Sequence, residues 1–133
     1  MDMKLKEVKT SIEKRIAGLE ENLQRLKKDS REDEAVLCKV RINICDIYNT
    51  MLYATRKKVD AMGQLQAEEQ EQRFCQEYMN LMNKITSTWV EGLQAAKKAD
   101  DYRAVLVEEI KLETAKLLEE EFQKVFGETY DRK

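Results

Sequence analysis

From Leu5 to Ser30 the chain reads LKEVKTSIEKRIAGLEENLQRLKKDS, and this stretch decides the fold. Leu5, Val8, Ile12, Ile16, Leu19, Leu23 and Leu26 advance by threes and fours, the spacing that stacks side chains on one face of an α-helix. The seam is narrow, as in a coiled coil. It ends at Lys27-Lys28, where cations complement the negative end of a helix dipole. Asp29-Ser30 and Glu32-Asp33-Glu34 then supply the anions that suit the start of the next helix.

The same punctuation recurs downstream. Lys57-Lys58 precede Gly63, with Glu68-Glu69 beyond it, and Lys97-Lys98 precede Asp100-Asp101. Ser30 with Asp33 loosely resembles a capping box, while Gly63 and Gly127 suit left-handed C-terminal caps. Breaks near residues 30, 63 and 99 predict four helices, about 4–28, 31–62, 66–98 and 101–126, with a tail over 127–133. No proline interrupts them, although about 5% usage would place roughly six or seven in a chain this long.

Each later segment carries its own helical stripe. Helix two has Leu37, Val40, Ile44, Ile47, Met51, Val59 and Met62, and helix three has Phe74, Tyr78, Leu81, Ile85, Trp89 and Leu93. Helix four has Tyr102, Leu106, Ile110, Leu117 and Val125, with Phe122 and Phe126 beside them. Apolar anchors vanish over Gln66–Arg73, which reads as solvated first turns of helix three or as a connection. Gly63 costs only about 1 kcal/mol inside a helix, so helices two and three would also be allowed to run on as one rod. Equal helices with short turns predict an all-α, antiparallel up-and-down four-helix bundle forming one domain over residues 1–133. Folding at the three breaks places Leu23, Cys38, Trp89 and Ile110 in one layer.

The segment Lys98-Ala-Asp-Asp-Tyr-Arg resembles the turn of tetratricopeptide-type helical repeats, in which an Asp-Tyr pair opens the second helix. The resemblance covers about ten residues and occurs once. Val105 stands where that pattern prefers alanine, and no 34-residue repeat accompanies it. It implies a helix–turn–helix and nothing about activity.

Composition narrows the function classes. Charged residues make up 38% and hydrophobic ones 42%, a mixture that suits long helices with ion-paired outer faces and argues against disorder. Residues 1–63 hold 14 basic and 11 acidic side chains, whereas residues 64–133 hold 10 and 15. The longest basic run, Arg56-Lys57-Lys58, is helix-end charge, so no nucleic-acid partner is expected. The longest apolar runs, such as Ala35–Cys38 and Ala104–Val107, have four residues, far short of the ~18 a membrane span needs. No membrane partner and no secretory signal are expected. Cys38, Cys45 and Cys75 are odd in number and widely spaced, which predicts reduced, unbridged thiols and a cytoplasmic location.

There is no histidine. Di-iron bundles need two Glu-x-x-His motifs, and hydroxyl and thiol nucleophiles commonly need a histidine base. The expectation is a non-catalytic protein without metal or cofactor. Two features point elsewhere. Arg41 falls among Leu37, Ile44 and Tyr48, and Glu113 among Leu106, Ile110 and Leu117, at nearly the same height in the folded bundle. This predicts a buried ion pair or, as the alternative, a small anionic-ligand site centred on Arg41 and flanked by Tyr48, Tyr78 and Trp89. Helix two is also apolar over roughly 240°, where a bundle helix needs a stripe somewhat over 100° wide. Cys38, Ile42, Cys45, Leu52 and Tyr53 extend that face and are the expected interface with a second copy or a protein partner. The expected role is a structural or regulatory protein–protein interaction module.

Overall fold

The computed structural model describes the backbone of residues 1–131 and the side chains of residues 1–127. Four helices follow one another: α1 (Asp2–Lys28), α2 (Glu32–Asp60), α3 (Ala67–Lys98) and α4 (Tyr102–Asp131). The protein is an all-α bundle, with no strand among the described residues. The chain leaves helix after Asp60 and re-enters at Ala67, so α2 and α3 are separate rods. Gly63 sits between them at φ +93°, a conformation that costs glycine little. The polar stretch after Gln66 forms the solvated first turns of α3, and Glu71 within it binds Lys4 of α1 at 3.0 Å.

Two of the expected caps are corrected. Ser30 does not cap α2 through its side chain; it takes φ +59° and closes α1. Its N–H donates to the Lys27 carbonyl at 3.2 Å and the Arg31 N–H to the Leu26 carbonyl at 2.9 Å, which is a Schellman motif. Gly127 is not a cap either. The local break falls at Phe126 (φ −102°, ψ 16°), a fully buried ring in the aromatic core, and helix continues to Asp131.

The α3–α4 turn repeats the α1–α2 turn. Asp100, 70 positions after Ser30, takes φ +54°. Its N–H donates to the Lys97 carbonyl at 3.2 Å, and the Asp101 N–H donates to the Ala96 carbonyl at 3.0 Å. The same offset pairs buried residues at several levels: Val8 with Tyr78, Ile12 with Met82, Ile44 with Thr114, Cys45 with Ala115, Tyr48 with Leu118, and Leu52 with Phe122. The bundle is two helical hairpins related by a pseudo-two-fold operation that exchanges α1 with α3 and α2 with α4. Packing obeys it. The α1–α2 and α3–α4 faces are of near-equal extent, α2 and α4 pack on each other, and the backbones of α1 and α3 do not meet among the described residues.

The core is unevenly shared. Its main cluster draws on all four helices and centres on Tyr48, Phe74, Tyr78, Phe122 and Phe126. The Tyr78 and Phe122 ring centroids lie 4.6 Å apart and those of Phe122 and Phe126 4.8 Å apart. Near the two Schellman turns a smaller cluster of Leu23, Leu26, Ala35 and Cys38 belongs to the first hairpin alone. The expected layer is therefore not formed. Trp89 is buried in the main cluster, Leu23 and Cys38 lie in the other, and Ile110 is buried outside both. With α1 and α3 held apart by the direct α2–α4 packing, Leu23 and Trp89 have no shared layer to enter.

Candidate interaction site

The geometry corrects the sequence-derived site residues individually. Glu113 is exposed and Arg41 half-buried, and no ion pair joins them among the described residues. The reason is rotation of α4. Its inward side chains are Ile110, Thr114, Ala115, Leu118, Phe122 and Phe126, whereas Leu106 and Leu117, which flank Glu113 on the helical wheel, are 45% and 42% exposed. Glu113 thus stands on the outer stripe.

The broad apolar arc of α2 is mostly consumed within the subunit. Cys38, Cys45 and Leu52 are buried, and Ile42 packs half-buried against the smaller cluster. The helix needs so wide a face because it touches all three others. The Cys38 thiol donates to the Leu19 carbonyl on α1 at 3.2 Å, and the Tyr48 hydroxyl donates to Glu119 on α4 at 3.5 Å. The Tyr78 hydroxyl on α3 donates to the Tyr48 carbonyl at 3.3 Å. Burial pushes the Cys45 thiol up to about 11 and raises both tyrosine hydroxyls. Of the expected interface residues only Tyr53 is exposed, with the Lys57 ammonium 5.3 Å from its ring centre. It lines a groove with Lys6, Lys9 and Arg56, but Arg56 is already held by Asp2 at 3.0 Å and Asp60 at 3.2 Å.

Another surface gathers more exposed large apolar side chains. At the turn end, the first turns of α2 and α4 run side by side and enclose a cleft of about 320 Å³. Val36 and Leu37 line it from α2, and Leu106 and Val107 line it from α4. These are pseudo-two-fold mates, 70 positions apart, so the cleft straddles the pseudo-axis. Val36 is 39% exposed, and Tyr102 on the rim is 83% exposed. Asp33 and Arg103, also mates, stand on opposite sides, and neither makes an ion pair among the described residues. The start of α4 is fixed by Asp101, whose Oδ1 accepts the Ala104 N–H at 3.1 Å, an ordinary N-cap. Val36, Leu106 and Tyr102 were legible as apolar residues. Their exposure was not, because it depends on how far the hairpins share a core.

Among the described residues no three histidine, cysteine or acidic side chains are placed to hold a metal ion, and no helix is long and apolar enough to cross a membrane. Arg41 lines none of the clefts described above. Comparison of the chain with protein-family models, curated proteins and solved structures gave no match.

Proposed function

We propose that the protein is a non-catalytic, cytoplasmic interaction module whose working surface is the turn-end cleft between α2 and α4. The observation that carries this reading is the convergence of Val36, Tyr102 and Leu106 on one exposed apolar surface. Scattered exposed apolar residues need no explanation, but a contiguous group of them commonly marks a partner's footprint. The occupant is a protein, either a second copy or another chain. Aliphatic walls with one acidic and one basic rim residue suit side chains better than a phosphate-rich ligand.

The test is the native mass of the chain in an extract of the cells that make it. It should migrate well above its own 15.7 kDa, and Leu106→Glu should return it to that mass without loss of helicity. A wild-type chain that migrates free in the extract would overturn the reading.

A further inference from the structure

The charges around the cleft identify its occupant, and this step rests on the reading of the cleft as a protein-binding surface. Because α2 and α4 run parallel and are exchanged by the pseudo-two-fold operation, its axis runs along the bundle and emerges at the turn end. Positions 36 and 106, and 37 and 107, are apolar on both sides of that axis. Two other pairs differ across the axis: Asp33 on one side faces Arg103 on the other, and the rim residue Tyr102 has Glu32 as its mate. A surface with two matched apolar pairs at its centre and opposite charges at positions 33 and 103 is complementary to itself there.

We infer that the cleft of one copy docks end to end on the same cleft of a second copy, about a two-fold axis perpendicular to the bundle. Two such arrangements exist. With α2 set over α2 of the partner, Asp33 would meet its own copy and so would Arg103, and like charges at an interface are costly. With α2 set over α4 of the partner, each Asp33 meets an Arg103, twice per dimer. Charge therefore selects one orientation, and the contact is isologous and closes at two copies rather than propagating. The two ends do not repel as bodies either. Residues 27–34 and 97–103 together carry six basic and six acidic side chains. Tyr102, which has little to cover it within one subunit, lies beside Arg103 where a second copy would shield it.

Sedimentation equilibrium on the purified full chain tests this with Asp33→Arg, Arg103→Asp and the double exchange. Wild type should sediment at twice the chain mass. Each single reversal should weaken dimerisation on the order of tenfold or more, and the double exchange should restore it. Circular dichroism checks that each variant keeps its helix. Should a reversal variant unfold, Leu106→Glu takes its place and should give monomer. Dimers that survive all of these substitutions, or a double exchange that stays monomeric, would overturn the inference. A purified chain that is monomeric while the chain in extract is complexed would overturn the second copy as occupant and leave the interaction surface standing.

Discussion

The Tyr48 hydroxyl on α2 donates to the Glu119 carboxylate on α4 at 3.5 Å, a polar link between hairpins beside an otherwise aromatic core. Burial raises the Glu119 carboxyl above its ordinary value, and the tyrosine hydrogen bond opposes that rise without cancelling it. The folded state therefore holds the proton more tightly than the unfolded chain does. Stability from this group is full in acid and declines as pH rises from the ordinary carboxylate value through the raised one. Glu119→Gln keeps an acceptor for Tyr48 and carries no charge. It should raise the urea midpoint at pH 7, with the difference from wild type vanishing near pH 4. A variant less stable than wild type at pH 7 would mean that the ionised carboxylate stabilises the fold.

The two faces of α4 make a sharper comparison. Phe122 is fully buried against Phe74, Tyr78 and Phe126, so Phe122→Ala should cost about 3–5 kcal/mol. Leu117 lies outside the core, and Leu117→Ala should change stability by no more than about 0.5 kcal/mol. Chemical denaturation of both variants checks the rotation of α4 directly. Equal losses would place Leu117 in the core and restore the stripe through Glu113.

That rotation also shows where reading the sequence succeeds and where it stops. Helix ends follow from local chemistry: lysine pairs, acidic starts, Gly63 and the absence of proline place the boundaries within two residues, except the end of α4, which runs past Gly127 to Asp131. Which face of a helix turns inward is a tertiary matter. On α4 the apolar residues Leu106, Ile110 and Leu117 outline one stripe, of which only Ile110 is buried, while the buried face continues through Thr114 and Ala115, which carry little hydrophobic signal. Thr114 is tolerated inside because its hydroxyl donates to the Ile110 carbonyl at 2.8 Å. The 70-residue correspondence was equally hard to see, since burial is matched between mates such as Ile44 and Thr114 whose chemistry differs. Most of the residues expected at an interface are taken up within the subunit for a related reason. The width of the α2 face is set by three neighbours, and a square bundle would have supplied fewer.

The three thiols report on core dynamics. Cys38, Cys45 and Cys75 are buried and unbridged by disulfides, and the Cys45 thiol, pushed up to about 11, is protonated at neutral pH. Thiolate is the reacting form, so modification needs opening of the bundle as well as ionisation. Labelling by a disulfide reagent at pH 8 should be slow in the native protein and become fast across the unfolding transition. Rapid native labelling of Cys45 would show that the centre of α2 opens far more readily than its packing implies.

The matched turns offer a stability test that the comparison of Ser30 with Asp100 makes quantitative. Both residues hold left-handed backbone, at φ +59° and +54°, which costs an ordinary L-residue about 1–2 kcal/mol. Glycine escapes that cost but loses more freedom on folding, by roughly 0.5–1 kcal/mol. Ser30→Gly should therefore stabilise the protein by up to about 1 kcal/mol. Asp100→Gly should gain less, because aspartate tolerates the left-handed region better than serine. Gly63→Ala is the reverse experiment. An added Cβ there meets nothing within 4 Å, so only the backbone conformation at φ +93° opposes it, and the loss should be about 1–2 kcal/mol. Urea midpoints for the three variants should fall in the order Ser30→Gly, Asp100→Gly, wild type, Gly63→Ala. A destabilised Ser30→Gly would mean that the serine side chain contributes to the turn beyond its backbone, and the two turns would no longer be equivalent.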